Sequence, residues 1–169
     1  MAEHEFKVKD DGSVRIVIPL PPYTKKNSGQ VLYKRRPDGS RVPFISPSPQ
    51  YKAYERDSMW FLRPIGLTGP VNVEAKFYME TRRRVDLTNL NEALHDILVK
   101  GGVLVDDDVS VVVSTDGSRV YYDKENPRTE VTITPTEATF ETAKEAKERK
   151  AREKAEKAKE KERKKGTFI

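Results

Sequence analysis

Alternation of apolar and polar residues predicts a β-strand with one buried face in the middle of the chain. It runs from Val71 to Met79, where every second side chain is apolar. Because successive side chains of a strand point to opposite faces, this pattern is typical of a strand that packs one face on a core. Val14–Ile18 is predicted to form another strand, which ends before Pro19.

Two helices are predicted from capping residues and apolar spacing. Ser48 suits the N-cap and Pro49 the first helical position, so one helix begins there and ends before Pro64. A second helix is predicted over residues 88–100, with Thr88 as its cap and Gly101-Gly102 as its stop. Helical spacing puts Leu90, Ala93, Leu94, Ile97 and Leu98 on its apolar side, and Asn89, Glu92 and Asp96 on its polar side.

A hairpin and shorter strands complete the predicted elements. Residues 31–33 and 41–45 flank a turn at residues 37–40, and Pro43 favours an edge position. Residues 20–28 are too rich in proline and polar side chains for a regular element, so we expect a loop there. Further strands are expected at residues 109–113, 119–122 and 129–134.

Composition excludes several classes of protein. The 169 residues contain no cysteine, which excludes a disulfide framework, a thiolate zinc site and a cysteine nucleophile. No run approaches the roughly 20 apolar residues that a spanning helix needs. The acidic N-terminus also lacks the apolar stretch of a secretory signal. We therefore expect a cytoplasmic protein with no membrane association.

Charge divides the chain into two predicted parts, a domain over residues 1–136 and a charged helical tail over residues 137–169. The tail holds 12 basic and 8 acidic residues, a net charge of +4, which leaves +1 for the rest. It lacks the apolar seam of a coiled coil. Two interpretations remain open: a solvated appendage with an unknown partner, or an arm that binds phosphates without sequence preference.

Carboxylates between residues 82 and 108 are the strongest candidates for chemistry. Carboxylates on separate elements can converge on one point, and oxygen ligands of this kind are what Mg²⁺ prefers. Asp86 also suits a plain helix N-terminus, and the last three acids also suit a plain turn, so a structural role stays open for each. The acids in question are Asp86, Glu92, Asp96, Asp106, Asp107 and Asp108.

Three blocks of sequence together carry a family resemblance. They are the proline-rich basic stretch at 18–28, the segment Ser48-Pro49-Gln50-Tyr51 with Tyr54, and a central block of Asp86-Leu87-Thr88-Asn89, His95-Asp96-Ile97-Leu98, Gly102-Val103-Leu104 and Asp106-Asp107. In this order and spacing, over residues 14–134, they resemble the RusA-type Holliday junction resolvases of bacteriophages and prophages. The resemblance implies an α+β fold with a mixed sheet, to which this chain adds a long charged C-terminal helix. It also implies a homodimer whose two-fold axis matches the symmetry of a four-way DNA junction.

The resemblance also implies roles for individual residues. Asp86 and Asp107 match the two acids that bind Mg²⁺, with Mn²⁺ as a substitute, and Asp106 ligates the metal or tunes its neighbour. Asp108 leaves the register of this acidic run open by one residue. The expected DNA-binding residues are Lys25, Lys26, Asn27, Arg82, Arg83 and Arg84, and the expected supporting residues are Thr88, Asn89 and Asp96. The implied reaction is metal-assisted hydrolysis of phosphodiesters in recombination and repair.

The sequence departs from the family pattern at two positions. Thr88 stands where the family has a second acid, and Glu92 stands where the family has a lysine that assists catalysis. Glu92 lies one helical turn after Thr88, so we hypothesise that it restores the missing catalytic carboxylate. The departures leave a second reading open, a catalytically inactive protein that binds branched DNA. A third reading places the activity in the charged tail.

Two side chains outside these motifs are expected to be structural. His95 is predicted to lie on the exposed side of its helix as an ordinary surface residue. Trp60 is predicted to lie in the core or in a contact between two copies of the chain, and not to stack on a base.

Overall fold

A computed structural model describes residues 4–26 and 29–165. The described chain forms an α+β fold with a mixed sheet, as predicted, and ends in a long helix. The strands are β1 (Glu5–Val8), β2 (Val14–Ile18), β3 (Gln30–Arg35), β4 (Arg41–Ser46), β5 (Val71–Met79), β6 (Val112–Ser114), β7 (Arg119–Tyr122) and β8 (Arg128–Pro135). The helices are α1 (Pro49–Ser58), α2 (Leu87–Lys100) and α3 (Ala143–Lys165), and a 3₁₀ turn (Met59–Phe61) follows α1.

The main sheet has six strands, with β5 at its centre. Strands β1, β2, β8 and β5 pair in that order and are antiparallel, while β6 and β7 both pair in parallel with the other edge of β5. The predicted strand over Val71–Met79 is confirmed, and its alternate residues are buried. They pack in one core with the apolar side of α2, which consists of Leu90, Ala93, Leu94, Ile97 and Leu98.

The start of α2 differs by one residue from the prediction. The helix begins at Leu87, and its N-cap is Asp86, whose Oδ1 accepts a hydrogen bond from the Thr88 N–H at 2.9 Å. The prediction of Thr88 as the cap is therefore wrong. Asp86 takes the position because its backbone is extended and its negative charge suits the positive end of the helix dipole.

Both predicted glycines form the end of α2. The Val103 N–H donates to the Leu98 carbonyl and the Gly102 N–H to the Val99 carbonyl, each at 2.9 Å, which is the Schellman pattern. Gly102 has a φ of +70°, a conformation that side-chain-bearing residues rarely adopt. This turn directs the following segment away from the helix axis.

Two local expectations are corrected by the packing, and one strand was missed. Of the two positions predicted for Trp60, the core is wrong, because the helix gives way to the 3₁₀ turn at Met59 and leaves Trp60 85% exposed; a contact between two copies stays a prediction. The strand expected over 109–113 begins only at Val112, because the Asp108 carbonyl accepts hydrogen bonds from the N–H groups of Val111 and Val112. Strand β1 was not predicted, since its four residues carry little pattern of their own.

The predicted hairpin is confirmed as a separate two-stranded sheet of β3 and β4. The Gly39 N–H donates to the Arg36 carbonyl, and the Arg36 N–H donates to the Ser40 carbonyl. Gly39 has a φ of +84°, so the connection is a type I turn followed by a bulged glycine. Each strand has one free edge, which agrees with the position expected from Pro43.

The chain divides into two compact units, Met1–Glu137 and Ala138–Ile169. In the second unit α3 starts with a capping box. The Thr142 hydroxyl accepts from the Glu145 N–H at 3.2 Å, and the Glu145 carboxylate accepts from the Thr142 N–H at 2.7 Å. Within the described residues, each helix is either too short or too polar to cross a membrane.

Candidate active site

The central acids lie on exposed chain on either side of α2. Asp86 caps the start of the helix and is exposed. The second acidic segment, residues 106–108, follows the buried pair Val103 and Leu104. That pair is held by Leu67, whose N–H donates to the Val103 carbonyl at 2.8 Å and whose carbonyl accepts from the Val105 N–H at 3.0 Å. The acidic segment therefore emerges from a firmly anchored stretch of backbone.

Hydrogen bonds distinguish the three consecutive aspartates. Asp106 Oδ1 accepts from the Asp107 N–H at 2.8 Å. Asp108 Oδ1 accepts from the N–H and the hydroxyl of Ser110, which lowers the pKa of the Asp108 carboxyl. Asp107 is the member of the run whose charge acts on His95 of α2. Asp107 is therefore the acid of this run that is favoured for chemistry, whereas Asp108 stabilises the turn that contains it.

His95 corrects the expectation of an ordinary surface residue. Its side chain is half-buried, and its Nε2 is buried without a hydrogen-bond partner in the described part of the chain. Burial lowers the pKa of the imidazole because it disfavours the charged form, although the charges of Asp107 and Asp96 act in the opposite direction. The helical pattern placed His95 on the polar side of α2, so it gave no sign of this burial.

Two acids on the polar side of α2 are paired with the proline-rich loop. Lys26 Nζ lies 2.6 Å from Glu92 Oε2, and Lys25 Nζ lies 2.9 Å from Asp96 Oδ2. The hydrogen bond to Asp96 raises the pKa of Lys25. In this structure, the two lysines expected to contact DNA phosphates are ion-paired with α2. One of their partners is Glu92, the residue expected to act as a replacement carboxylate. Asn27 lies outside the described residues.

A cleft of about 320 Å³ lies between the proline-rich loop and the connection from β5 to α2. Its lining includes Pro22 and Thr24 from the loop and Glu80, Arg83 and Val85 from the connection. Arg83 is therefore the one member of the predicted arginine run that lines this cleft. Asp86, which caps α2, directly follows the same connection in the chain.

The arginine run has an aromatic support that was not predicted. The Arg82 guanidinium lies 4.0 Å from the centre of the Tyr122 ring, while Arg82, Arg83 and Arg84 are all exposed. Such stacking orients a guanidinium and leaves its N–H groups free to donate. Tyr122 belongs to β7, an edge strand next to β5, so only sheet pairing reveals the contact.

The predicted supporting residues Thr88 and Asn89 lie in the first turn of α2. Thr88 is exposed and Asn89 is half-buried.

Preassembled metal ligands would need several acidic or histidine side chains close together. Within the residues that the structure describes, no three histidine, aspartate or glutamate side chains come together as a group that could hold a metal ion. The structure places Asp86 at the start of α2 and Asp107 near His95, two turns further along the helix. The exposed carboxylates nonetheless have the donor chemistry for Mg²⁺, which usually takes one or two protein carboxylates and completes its shell with water and substrate phosphate.

A small α+β domain with exposed acids beside a cationic loop suits a protein that acts on a polyanion. Comparison with protein-family models matches residues 19–134 to the family described as Endodeoxyribonuclease RusA. The match covers well over half of the chain, so the protein belongs to the RusA family of endodeoxyribonucleases. The predicted resemblance is confirmed, and the family is one of endodeoxyribonucleases that act on branched DNA. A search of curated proteins finds no match.

Proposed function

We propose that the protein is a metal-dependent endonuclease that resolves four-way DNA junctions by symmetric hydrolysis of two phosphodiesters. One observation carries the proposal beyond family membership. Asp86, Asp106 and Asp107 are exposed and form no ion pair within the described chain, whereas Glu92 and Asp96 on α2 are paired with lysines of the loop. Asp106 and Asp107 are consecutive in the chain, and repulsion between such carboxylates would be relieved by a bound cation.

The proposed division of labour follows from the chemistry of the side chains. Asp86 and Asp107, with Asp106 beside them, would hold Mg²⁺ or Mn²⁺, which when bound supplies Lewis-acid activation of water and of the phosphate. Arg83 in the cleft and the stacked Arg82 would bind the DNA backbone, since planar guanidinium groups match phosphate oxygens. A homodimer would present two such sites to the two strands of a symmetric junction.

Cleavage of a labelled synthetic four-way junction tests this proposal. We expect paired nicks at symmetric positions in the presence of Mg²⁺, and none in EDTA. A linear duplex of the same sequence is the control and should stay intact. Equal cutting of the duplex would contradict selectivity for branched DNA, and cutting in EDTA would contradict the need for a metal.

A second candidate function is binding of branched DNA without catalysis. It is favoured by Thr88, which cannot ligate a metal as a carboxylate does, and by Glu92, which forms an ion pair with Lys26. Tight binding of the junction without nicks, in Mg²⁺ and in Mn²⁺, would select this function over the nuclease.

A further inference from the structure

The hairpin of β3 and β4 exposes large apolar side chains on one face within the part of the chain that the structure describes. All six residues of β3 are exposed. Cross-strand register places Val31 opposite Ile45 and Tyr33 opposite Pro43 on one face. Val31, Tyr33 and Ile45 are 59%, 65% and 77% exposed. Three such side chains in a row form a contiguous apolar strip, which is typical of an interaction site.

The strip ends in a pair of arginines. Arg35 lies directly opposite Arg41, on the same face as Tyr33. Like charges at directly opposed positions destabilise a strand pair, so this pairing works against the hairpin unless an anion lies between the two guanidinium groups. We call Val31, Tyr33, Arg35, Arg41 and Ile45 the hairpin strip.

The rest of the hairpin does not neutralise these cations. Between residues 30 and 46 there are four cations and one acid, a net charge of +3. The acid is Asp38, whose Oδ1 already accepts from the Ser40 N–H at 2.8 Å and the Ser40 hydroxyl at 2.6 Å. None of the cations is ion-paired within the described chain; they are Lys34, Arg35, Arg36 and Arg41.

We propose that the hairpin strip binds DNA at the branch point. Arg35 and Arg41 together hold a backbone phosphate, and Tyr33 and Ile45 contact bases that the branch leaves partly unstacked. Each part of the strip suits this ligand, because paired guanidinium groups bind phosphate, aromatic rings stack on bases, and apolar side chains wedge between base steps. A two-stranded ribbon also fits the major groove of a flanking arm. The inference deepens the proposed function, because it rests on branched DNA as the ligand.

Charge argues for DNA over a second copy of the chain. Two hairpins that met on this face would bring together two segments of net charge +3, each with an unneutralised arginine pair. DNA instead offers a phosphate to the arginines and an apolar base surface to the strip. The hairpin strip therefore matches a ligand that is anionic and aromatic at once.

Equilibrium binding by the full-length protein tests the inference. Fluorescence anisotropy in EDTA measures affinity for a labelled four-way junction and for a linear duplex over a range of salt concentrations. The variant Arg35→Gln/Arg41→Gln is compared with Lys7→Gln/Lys9→Gln, which removes the same charge from exposed positions in and just beyond β1. The variant Tyr33→Ser tests base contact without a change of charge.

The three variants have different expected results. Arg35→Gln/Arg41→Gln should weaken junction binding about tenfold or more and reduce the slope of log K against log salt by about 1 to 2. Lys7→Gln/Lys9→Gln should change the affinity less than about threefold. Tyr33→Ser should leave the salt slope unchanged and reduce the preference for the junction over the duplex at least about fivefold.

Two results would overturn the inference. One is equal binding by the arginine variant and the lysine variant. The other is conversion of a wild-type dimer to monomers by Tyr33→Ser in sedimentation, which would make the strip an interface between copies. The test also separates this inference from the proposed nuclease. If the wild-type protein binds the junction through the strip and cuts nothing, the inference is supported and the proposed nuclease is refuted. If all hairpin variants bind and cut the junction normally, the nuclease is supported and the inference is refuted.

Discussion

At the scale of single residues, substitutions can separate the capping role of Asp86 from its proposed role in metal binding. Its carboxylate caps α2, and it is the first candidate metal ligand. Asparagine caps a helix about as well as aspartate but is a poor ligand for a hard cation, whereas alanine does neither. The comparison of the two substitutions therefore distinguishes loss of fold from loss of chemistry.

We predict that Asp86→Asn abolishes junction cleavage and leaves the free energy of unfolding within a few tenths of a kcal/mol of wild type. Asp86→Ala should also abolish cleavage and in addition cost about 0.5–2 kcal/mol, because the Thr88 N–H loses its acceptor. Urea unfolding and the cleavage assay measure the two effects. Retained cleavage by Asp86→Asn would limit Asp86 to its structural task.

The acidic run offers a matched pair of substitutions. Asp107→Asn should abolish cleavage and keep or strengthen junction binding, because it removes a negative charge near the DNA. Asp108→Asn should keep cleavage, since an asparagine oxygen can still accept from the N–H and hydroxyl of Ser110. If Asp108→Asn is inactive and Asp107→Asn is active, the register of the ligands is shifted by one residue.

At the scale of elements, two ion pairs connect the proline-rich loop to α2, and they give competing roles to Glu92. The Lys26–Glu92 and Lys25–Asp96 pairs lie one helical turn apart on the same side of the helix. Glu92 therefore acts either as a replacement catalytic carboxylate or as a partner that positions the loop. Asp96 holds the loop in the same manner and serves as the control.

We predict that Glu92→Gln and Asp96→Asn each destabilise the protein by less than about 1 kcal/mol, because both ion pairs are partly exposed. If Glu92 is the replacement carboxylate, Glu92→Gln alone loses cleavage and Mg²⁺ dependence. Equal and small losses of cleavage in both variants, measured as initial rates over a Mg²⁺ titration, would refute that hypothesis and assign Glu92 to the loop.

The turn after α2 positions the acidic run through Gly102. A Cβ at this residue would lie 2.9 Å from the Cβ of Pro64, in addition to the strain of a φ of +70°. We predict that Gly102→Ala costs more than the roughly 1–2 kcal/mol of a left-handed residue alone. Gly39→Ala is the control, because Gly39 has a similar φ of +84° with no neighbour within 4 Å of its Cβ. Equal losses in urea unfolding would show that the contact with Pro64 relaxes at no cost.

At the scale of the whole molecule, the core and the candidate site belong to the first unit. The hydrophobic core lies between Val14 and Ile133, and the tail unit begins at Ala138. Helix α3 is stabilised by its capping box and by charged pairs such as Arg149–Glu153 at 2.8 Å. Its sequence carries cations and no apolar seam, which suits contact with phosphates better than packing on a partner helix.

We predict that truncation after Glu137 preserves the fold and junction cleavage. It should weaken junction binding most at low salt, because it removes residues 138–169, which carry 12 basic and 7 acidic residues and a net charge of +5. Circular dichroism, cleavage rates and binding at several salt concentrations measure the three effects. A folded but inactive truncated protein would support the reading that places the activity in the tail.

Local patterns were sufficient for most of the elements and for the family. The alternation of Val71–Met79, the Ser48-Pro49 start of α1 and the turn at Gly39 all matched the structure. Each depends on neighbours in sequence, since strand periodicity, capping and turn conformation are decided within a few residues. The order and spacing of three sequence blocks over residues 14–134 indicated a RusA relative, and the family match confirms it.

Contacts between distant segments could not be predicted in this way. The pairing of Lys26 with Glu92 and the stacking of Arg82 on Tyr122 each join residues that are far apart in the chain. Trp60 is exposed because the helix ends earlier than its apolar spacing suggests. These features depend on which surfaces meet when the sheet and helices pack. Sequence periodicity describes the faces of one element, and only packing brings two faces together.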